Sequence, residues 1–473
     1  MNELKAVARL LAQERGEALC FTRERPYPLS DSPMVMVPIV MAGESPSLFA
    51  LGIGDGVRAW RLHVCTEPRN RDQQYAMLGE AAQHMEMFLG AWETNKELMP
   101  QLLTSSGDAS RVCLLTVHRM TYAPQPGLRS VGRRLHWLDR VFEQPDSAAL
   151  VNMPWAICEL FATGQDDRAD SHLGAVLEWL KPADGQIYNR LLRAEECPTS
   201  TSTAPRLDNE KLMPLVEALG RATESHTSTT ARLRTEIEQI LADEVSRRYQ
   251  LIEIALTKCR AFPSSAAADH IQHRDRTRYD RNLAYVANPE NLLAAGLSGH
   301  AATDEFLSRE LNAEYLQQVM LRSVSSSRSS ARLSGNILAG RVVRRDIQKK
   351  GRKTTIQYQI RSNQERLAMR RGDSTTLLDD EAFEFSVVDF NLDPSGDTTV
   401  TLELTSGKTK PGQPDVGDYI ELAEPISSPE RIARTMCIAR DRLRRKPALR
   451  TNNARRAASE DYLSGIKRLR RKG

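Results

Sequence analysis

The chain has 473 residues, 40% hydrophobic and 27% charged, which is enough for roughly two to four domains with cores of their own. Aromatic residues are sparse at 5%, while 26 glycines and 23 prolines are ordinary usage, so a fibrous or wholly disordered chain is excluded. The net charge of +4 is unevenly spread. Residues 428–473 carry fifteen Lys/Arg and four Asp/Glu, a local net of +11, and the residues before them carry −7. An acidic body with a basic tail predicts a polyanionic or acidic partner.

The cysteines and the first residues indicate the compartment. Seven cysteines are scattered without a C-x-x-C pair, which is typical of free thiols in a reducing environment. The N-terminal pattern is amphipathic and contains acids, so it is a poor signal peptide. No apolar run approaches the roughly 20 residues that span a bilayer. We therefore expect a soluble cytoplasmic protein with no membrane partner.

The sequence pattern of residues 1–197 predicts a mixed α/β domain. A first helix over Glu3–Arg15 precedes a meander of three strands, and a second helix covers Asp72–Leu89. The continuous apolar run Val112–Val117 predicts a buried central strand. The three strands of the meander are expected at Met34–Met41, Leu48–Ile53 and Ala59–Cys65.

The middle of the chain predicts a helical domain at 210–322, after a Ser/Thr/Pro-rich linker at 198–209. Within it, Glu210–Arg260 repeats apolar residues at three- and four-residue steps, as a long amphipathic helix does. Its stripe includes Leu233, Ile237, Ile240, Leu241, Val245, Ile252 and Leu256. We expect this stripe to pack inside the helical domain. A second, serine-rich linker at 323–332 is expected to be flexible.

Residues 333–424 carry the clearest strand signals and predict a small OB-like or SH3-like barrel. The segment Thr354–Arg361 alternates, with Ile356, Tyr358 and Ile360 on one face and polar residues on the other. Five strands in so short a span have to close on themselves to hide their edges. They are predicted at Gly335–Arg345, Thr354–Arg361, Phe383–Phe390, Thr398–Thr405 and Asp418–Leu422.

Residues 425–473 predict a basic helix and tail. Ser428 is a good N-cap, Pro429 fits the first turn, and Pro447 ends the helix. The whole chain is therefore predicted as an α+β multidomain protein. It has an N-terminal mixed α/β domain, a central helical domain, and a C-terminal barrel followed by this basic arm.

Motifs for catalysis, metals or cofactors are not found. Gly407-Lys408-Thr409 resembles the end of a phosphate-binding loop, but Leu402 replaces the required glycine and Pro411 prevents the following helix, so a hairpin turn is expected. His270 and His273 are expected in a solvated loop rather than at a metal. Asp55 and Glu67 flank a strand without the D/E-x-K placement of a nuclease. We assign no catalytic residue, no metal and no cofactor.

The nucleic-acid signal is more coherent, because basic residues cluster on the barrel and continue into the tail. Tyr358 is expected to stack on bases, and the cations to contact phosphates. The alternative is that these charges only keep the barrel edges soluble. The candidate residues are Arg341, Arg344, Arg345, Lys349, Lys350, Arg352, Lys353, Tyr358, Arg361, Arg440, Arg444, Arg445, Arg455, Arg456, Lys467, Arg468, Arg470 and Arg471.

The order of a helical region, a small barrel, the strand Val416–Leu422 and the helix Ser428–Leu443 resembles the region just upstream of the motor in superfamily 1 helicases of the 1B type. The resemblance covers about the last third of the chain. It implies that the barrel contacts nucleic acid beside a motor. Because the chain ends where a motor would begin, no ATPase is carried over to it.

We therefore expect a non-enzymatic, nucleic-acid-binding accessory subunit, DNA or RNA, acting with a separately encoded helicase or nuclease, in bacterial defence or a mobile element. A protein–protein scaffold within a larger complex is the alternative, with the tail docking on an acidic partner. A hydrolase with an unrecognised site in 1–197 is the third class.

Overall fold

The computed structural model describes residues 3–41, 47–56, 60–194, 201, 207–224, 229–288, 291, 299–350, 353–392 and 397–426. The predicted basic helix and tail therefore lie outside the described residues from 427 onward. The described chain forms an N-terminal body, up to Ser334, and a C-terminal β-barrel. This confirms the predicted α+β class with a small barrel at the end.

The helices of the described residues lie almost entirely in the N-terminal body. They are α1 (Glu3–Arg15), α2 (Arg71–Thr94), α3 (Gly107–Thr121), α4 (Pro126–Leu135), α5 (Trp137–Val141), α6 (Met153–Cys158), α7 (Leu173–Trp179), α8 (Ile187–Ala194), α9 (Met213–Glu224), α10 (Thr230–Arg260), α11 (Ala266–Ala287), α12 (Gly299–Ser323) and α13 (Ser325–Ser334). Among the described residues, no helix combines the length and apolar composition that crossing a membrane requires.

The strands form two main structures, a sheet in the body and the barrel. In the body they are β1 (Leu19–Cys20), β2 (Met34–Val40), β3 (Leu48–Gly54), β4 (Trp60–Val64), β5 (Leu102–Thr104), β6 (Leu150–Asn152) and β7 (Phe161–Ala162). In the barrel they are β8 (Leu338–Lys350), β9 (Lys353–Ser362), β10 (Ser374–Leu377), β11 (Glu384–Leu392), β12 (Thr398–Ser406) and β13 (Tyr419–Ala423). Strands β1 and β7 pair separately as a short antiparallel ribbon.

A five-stranded mixed sheet, in the order β4-β3-β2-β5-β6, forms the centre of the body. Strands β2, β3 and β4 form the predicted antiparallel meander, and β5 and β6 add parallel to β2. Every residue of β2 and β3 is buried, because helices cover both faces of the sheet. Along β2, Val35 and Val37 enter one hydrophobic core, and Met34 and Met36 enter the other.

The apolar stripe of α10 packs on one face of this sheet. Leu241 and Val245 are fully buried and share a core with residues of β2 and β3. Val245 crosses β3 at Gly52, where a Cβ atom would lie 2.4 Å from the valine Cγ1, so only glycine permits this approach. The stripe therefore belongs to the N-terminal core and not to the separate helical domain predicted at 210–322, since periodicity does not specify the packing partner.

The run Val112–Val117, predicted as a strand, lies within α3, so that prediction is wrong. Ser106 begins the helix before the run, because its hydroxyl accepts a hydrogen bond from the Ala109 amide at 3.1 Å. Leu115 is 44% exposed, which a buried central strand would not allow. The buried strand nearest to this run is instead β5, immediately upstream, and the central strand of the sheet is β2.

The charge-dense segment around His270 lies in the middle of α11, not in the solvated loop predicted for it. Its charges face inward. Asp275 is fully buried and accepts hydrogen bonds from the Ser147 hydroxyl and the Ala148 amide, both at 2.8 Å. Arg278 bonds to Asp275 and to buried Asp146. Burial raises the pKa of Asp275 to about 6 despite the arginine.

The serine-rich segment predicted as a flexible linker forms helix α13. Its hydroxyls are used in tertiary contacts, since the Ser325 hydroxyl donates to Glu24 at 2.8 Å and the Ser330 hydroxyl donates to Glu3 at 2.9 Å. Gly335 ends the helix with a left-handed backbone at φ 79°. Low complexity suggested flexibility, but contacts to distant acids fix the segment.

The barrel is closed and antiparallel, with the order β8-β9-β12-β11-β10-β13 and β13 paired back to β8. All five predicted strands are present. A sixth, the short β10, closes the gap between β11 and β13. The interior is filled by side chains rather than by a ligand cavity, with Tyr358, Phe385 and Leu402 fully buried.

Candidate nucleic-acid interface

Six of the candidate cations are concentrated at one end of the β8–β9 hairpin. Residues 344–353 contain six Lys/Arg and one Asp. Arg352 lies outside the described residues, as do Arg440, Arg444, Arg445, Arg455, Arg456, Lys467, Arg468, Arg470 and Arg471. The described part of the interface is thus the hairpin, which we call the basic ribbon (residues 344–353).

The basic ribbon extends past the barrel wall. Strand β9 pairs with β12 only as far as Gln357, and β8 pairs with β13 only as far as Arg341. Beyond Gln357, four residue pairs from Ile347↔Ile356 to Lys350↔Lys353 join β8 to β9 alone. At strand spacing this is about 13 Å of two-stranded ribbon. Lys349 is exposed near its end.

The turn after β12 contacts the ribbon near its end, at Thr354, which pairs with Lys349. Lys408 donates from its Nζ to the Thr354 carbonyl at 3.1 Å. Gly407 adopts a left-handed backbone at φ 84°. The lysine of the loop that resembles a phosphate-binding motif therefore holds a strand edge, and the described residues that follow it, up to 426, contain no helix. The predicted hairpin turn is wrong, because the loop leads from β12 to β13, which pairs with β8 and β10 and not with β12.

Most described arginines of the barrel are neutralised by carboxylates. Arg344 pairs with Asp346 and Arg361 pairs with Asp397, each at 2.8 Å. Arg345 pairs with Asp415. Over residues 333–424 outside the ribbon, the sequence has 7 Lys/Arg and 14 Asp/Glu, a net of −7. The barrel wall therefore presents little net positive charge, in contrast to the end of the ribbon.

Tyr358 does not reach solvent, so its predicted role as a stacking platform for bases is wrong. Its ring is fully buried and meets Phe385 edge-on at 5.6 Å between centroids. The Arg345 guanidinium carbon lies 5.7 Å from the ring centroid and covers it from the barrel mouth. Burial raises the pKa of Tyr358, with Arg345 opposing that shift. Tyr358 is buried rather than available to a base because it lies on the face of β9 that points into the barrel.

Two arginines at the entrance to the barrel fix it to the helices. Arg328 and Arg332, both on α13, each pair with Glu421 of β13, whose side chain is 5% exposed. Arg328 also pairs with Asp379 at 2.8 Å. Arg341, by contrast, is exposed and donates to the Gly417 carbonyl at 3.2 Å. Position near the barrel thus does not make an arginine available to a polyanion.

Other chemistry is sparse in the described chain. No group of three or more His, Cys, Asp or Glu side chains is placed to hold a metal among the described residues. Burial raises the pKa of the Cys65 thiol to about 11 and that of Cys158 to about 12, which disfavours reactive thiolates.

A second basic surface was not indicated by any motif. Helix α4 carries Arg129, Arg133 and Arg134 on one side, facing α11. The signal available in the sequence was the i, i+4 spacing of Arg129 and Arg133 in an amphipathic helix.

A scan against protein-family models, a search of curated proteins and a search of solved structures each find no match to this chain. Its function is therefore inferred from the chemistry of its own residues.

Proposed function

We propose that the chain is a non-enzymatic, nucleic-acid-binding subunit that contacts phosphates through the basic ribbon and the basic C-terminal residues. The observation that carries this proposal is the ribbon itself, in which four Lys/Arg occur within the five residues 349–353, where the hairpin extends past an acidic barrel wall. A projecting pair of strands concentrates charge where a polyanion can approach without desolvating a flat surface.

The shape of the ribbon supports the same function. A two-stranded β-ribbon is one of the elements that the major groove of duplex DNA admits. Lysines at its end suit phosphate contacts, which position a protein without reading sequence. We therefore infer contacts to the backbone, with base stacking on Tyr358 removed from the proposal because that ring is buried.

The resemblance to the region before the motor of superfamily 1B helicases places a barrel of this kind beside nucleic acid. We propose on that basis that the chain works in the cytoplasm with a separately encoded helicase or nuclease, in bacterial defence or a mobile element.

Neutralising the ribbon tests the proposal. The triple variant Lys349→Ala, Lys350→Ala, Lys353→Ala is compared with a control of equal charge change on exposed barrel positions, Arg366→Ala, Arg370→Ala, Lys410→Ala. Binding to single-stranded DNA, duplex DNA and RNA is measured by fluorescence anisotropy over a salt series. We expect the ribbon variant to bind about tenfold or more weakly at low salt, with a shallower salt slope, because fewer counterions are released.

The control should change binding by less than about threefold, since its cations lie outside the ribbon. Equal losses in both triple variants would show that net charge alone, and not the ribbon, governs binding. No binding by the unaltered protein at low salt to any of the three polymers would overturn the proposal.

A protein scaffold is the second candidate, and the exposed face of α1 favours it. Val7, Leu10 and Leu11 are 49%, 69% and 41% exposed at helical spacing. Apolar side chains grouped in this way are typical of a protein contact. Val7→Ser, Leu10→Ser, Leu11→Ser should abolish capture of a co-purifying subunit if the scaffold function holds, while leaving nucleic-acid affinity unchanged.

A further inference from the structure

A cleft of about 600 Å³ lies between α4 and α11 in the N-terminal body. Its volume is within the range of small-molecule sites. The two helices are joined beside it, because the Asn282 side-chain amide donates to the Arg133 and Arg134 carbonyls at 3.3 and 3.0 Å. One wall is basic and formed by α4, and the other is apolar and includes Leu283 and Val286 of α11; Glu93 of α2 also lines the cleft.

The basic wall is held by backbone carbonyls rather than by acids. Arg129 donates to the Ala123 and Pro124 carbonyls at 3.1 and 2.7 Å. Arg133 donates to the Asn291 carbonyl at 2.9 Å, and its buried Nε has no hydrogen-bond partner among the described residues. Carbonyls fix the guanidinium groups without cancelling their charge.

The third arginine of the cleft, Arg134, differs from the other two because its partners are carboxylates. Arg134 pairs with Glu93 at 3.0 Å and also with Glu86. Its charge is balanced, whereas no ion pair with a described carboxylate balances Arg129 or Arg133. The positive charge of the cleft is thus concentrated at two positions one helical turn apart.

A ligand for this cleft needs an anion for the arginines and a ring or hydrocarbon body for the opposite wall. Guanidinium forks match both phosphate and carboxylate, and two arginines without carboxylate partners suit the charge of about −1.5 to −2 that a phosphate monoester carries at pH 7. A bare phosphate would leave Leu283 and Val286 uncovered. We propose that the cleft binds a nucleotide, with its phosphate on Arg129 and Arg133 and its ring system against the apolar wall of α11.

This site shares no residue with the basic ribbon, so it goes beyond the nucleic-acid-binding function proposed above. The nucleotide has two possible sources, a free mononucleotide or one unit of a bound strand. Both present the same phosphate and ring chemistry, and the experiment below separates them.

Adenosine monophosphate and adenosine are titrated into the full chain by isothermal calorimetry, so the two probes differ only in the phosphate. We expect the monophosphate to bind and adenosine to bind at least about tenfold more weakly, since charge-assisted bonds are lost. Arg133→Gln should weaken monophosphate binding about tenfold for the same reason. Arg281→Gln, on the opposite side of α11, should change it less than about twofold.

A second variant, Ser130→Asp, keeps the proposal testable if Arg133→Gln fails to fold. Ser130 is exposed on α4 in the lining of the cleft, and the change adds a negative charge there while keeping every arginine contact. It should weaken monophosphate binding about tenfold or more by repulsion, with an unchanged melting temperature.

Whether the ligand is one unit of a strand is tested in the ribbon triple variant ended at Pro447, which lacks the three ribbon lysines and the cations after that residue. If a twelve-nucleotide DNA binds there and Ser130→Asp weakens it, while the monophosphate does not bind, the ligand is a strand. If neither the monophosphate nor the oligonucleotide responds to Ser130→Asp, the cleft is not a nucleotide site. Failure of the ribbon proposal is separate, because it leaves monophosphate binding untouched.

Discussion

The two β structures of this chain bury their apolar faces in opposite ways. The N-terminal sheet is covered by helices that come from distant parts of the sequence, including α10, whose Leu241 packs with Val37 of β2. The barrel covers its own interior, and its core is contributed almost entirely by its own strands. Local alternation therefore predicts the barrel well, whereas the sheet depends on long-range packing that alternation does not encode.

The arginines of the two regions also differ, in the groups to which they bond. On the barrel, Arg344, Arg345 and Arg361 each have a carboxylate partner. On α4, Arg129 and Arg133 are held by carbonyl oxygens. A region with many basic residues in its sequence can therefore present little positive electrostatic potential. A short helix in an acidic body can present a concentrated positive potential.

The largest expected effect separates the two folding units. Leu241→Asp places a charge in the core between α10 and the sheet and should destabilise the body by more than about 4 kcal/mol. All five tryptophans precede residue 195, so tryptophan fluorescence during denaturant unfolding reports the body alone. Gln250→Asp, exposed on the same helix, is the matched control.

The reciprocal variant sharpens the comparison. Leu402→Asp in the barrel core should leave the tryptophan transition nearly unchanged while removing the barrel's part of the calorimetric transition. If Leu402→Asp shifts the tryptophan midpoint as far as Leu241→Asp does, the two regions fold as one unit.

The next effect concerns the ion pairs that join the barrel to α13. Glu421→Gln removes the carboxylate that Arg328 and Arg332 share, leaving Arg328 only its pair with Asp379, and should cost about 2 kcal/mol, allowing for the partial exposure of both arginines. Asp379→Asn is the control, because Asp379 is 81% exposed and should cost less than about 1 kcal/mol. Similar losses for both variants, measured by urea unfolding, would contradict the importance of the buried carboxylate.

Acid should weaken the body through His63. Burial, with His84 and Arg61 nearby, lowers the pKa of His63 to about 4. An imidazole in the unfolded chain takes up its proton near pH 6.5, so the unfolded state binds more protons between those values. The contribution of His63 to the stability of the body should therefore fall as pH falls from about 6.5 to about 4, while Asp275, whose pKa is raised to about 6, contributes in the opposite direction.

His63→Phe should flatten that pH dependence, since it removes the titrating group from the core. His118→Phe is the control, because His118 is exposed on α3. A pH profile of the unfolding midpoint that is the same for His63→Phe and for the unaltered protein would assign the acid sensitivity to other groups.

The smallest effect on stability is expected from the tail. Ending the chain at Pro447 removes Arg455, Arg456, Lys467 and other cations but little apolar surface, so the melting temperature should hardly change. Nucleic-acid affinity should fall equally for all sequences, with a shallower salt slope. Unchanged affinity at every salt concentration would remove the tail from the interface.

Several errors of prediction share one physical origin. Val112–Val117 was compatible with a strand and a helix, and the N-cap at Ser106 decided for a helix. The serines of α13 suggested a flexible linker until Glu3 and Glu24 bonded to them. The acids and bases of α11 suggested a solvated loop, yet Asp275 and Arg278 satisfy one another inside the body. In each case, the residue that determines the structure lies far away in the sequence or outside the segment from which the prediction was made.

The sequence by itself determined the β2–β4 meander, the five long strands of the barrel and the uneven charge, because these follow from alternation and composition within short windows. Only the tertiary structure decided that Phe385 and Arg345 enclose the Tyr358 ring, that the barrel arginines meet carboxylates, and that α10 completes the N-terminal core. It also brought α4 and α11 together into the arginine-lined cleft. The physical reason is that the spacing of residues along a helix or strand determines which of its faces each side chain lies on. The burial and the charge balance of that side chain depend on which distant element covers the face.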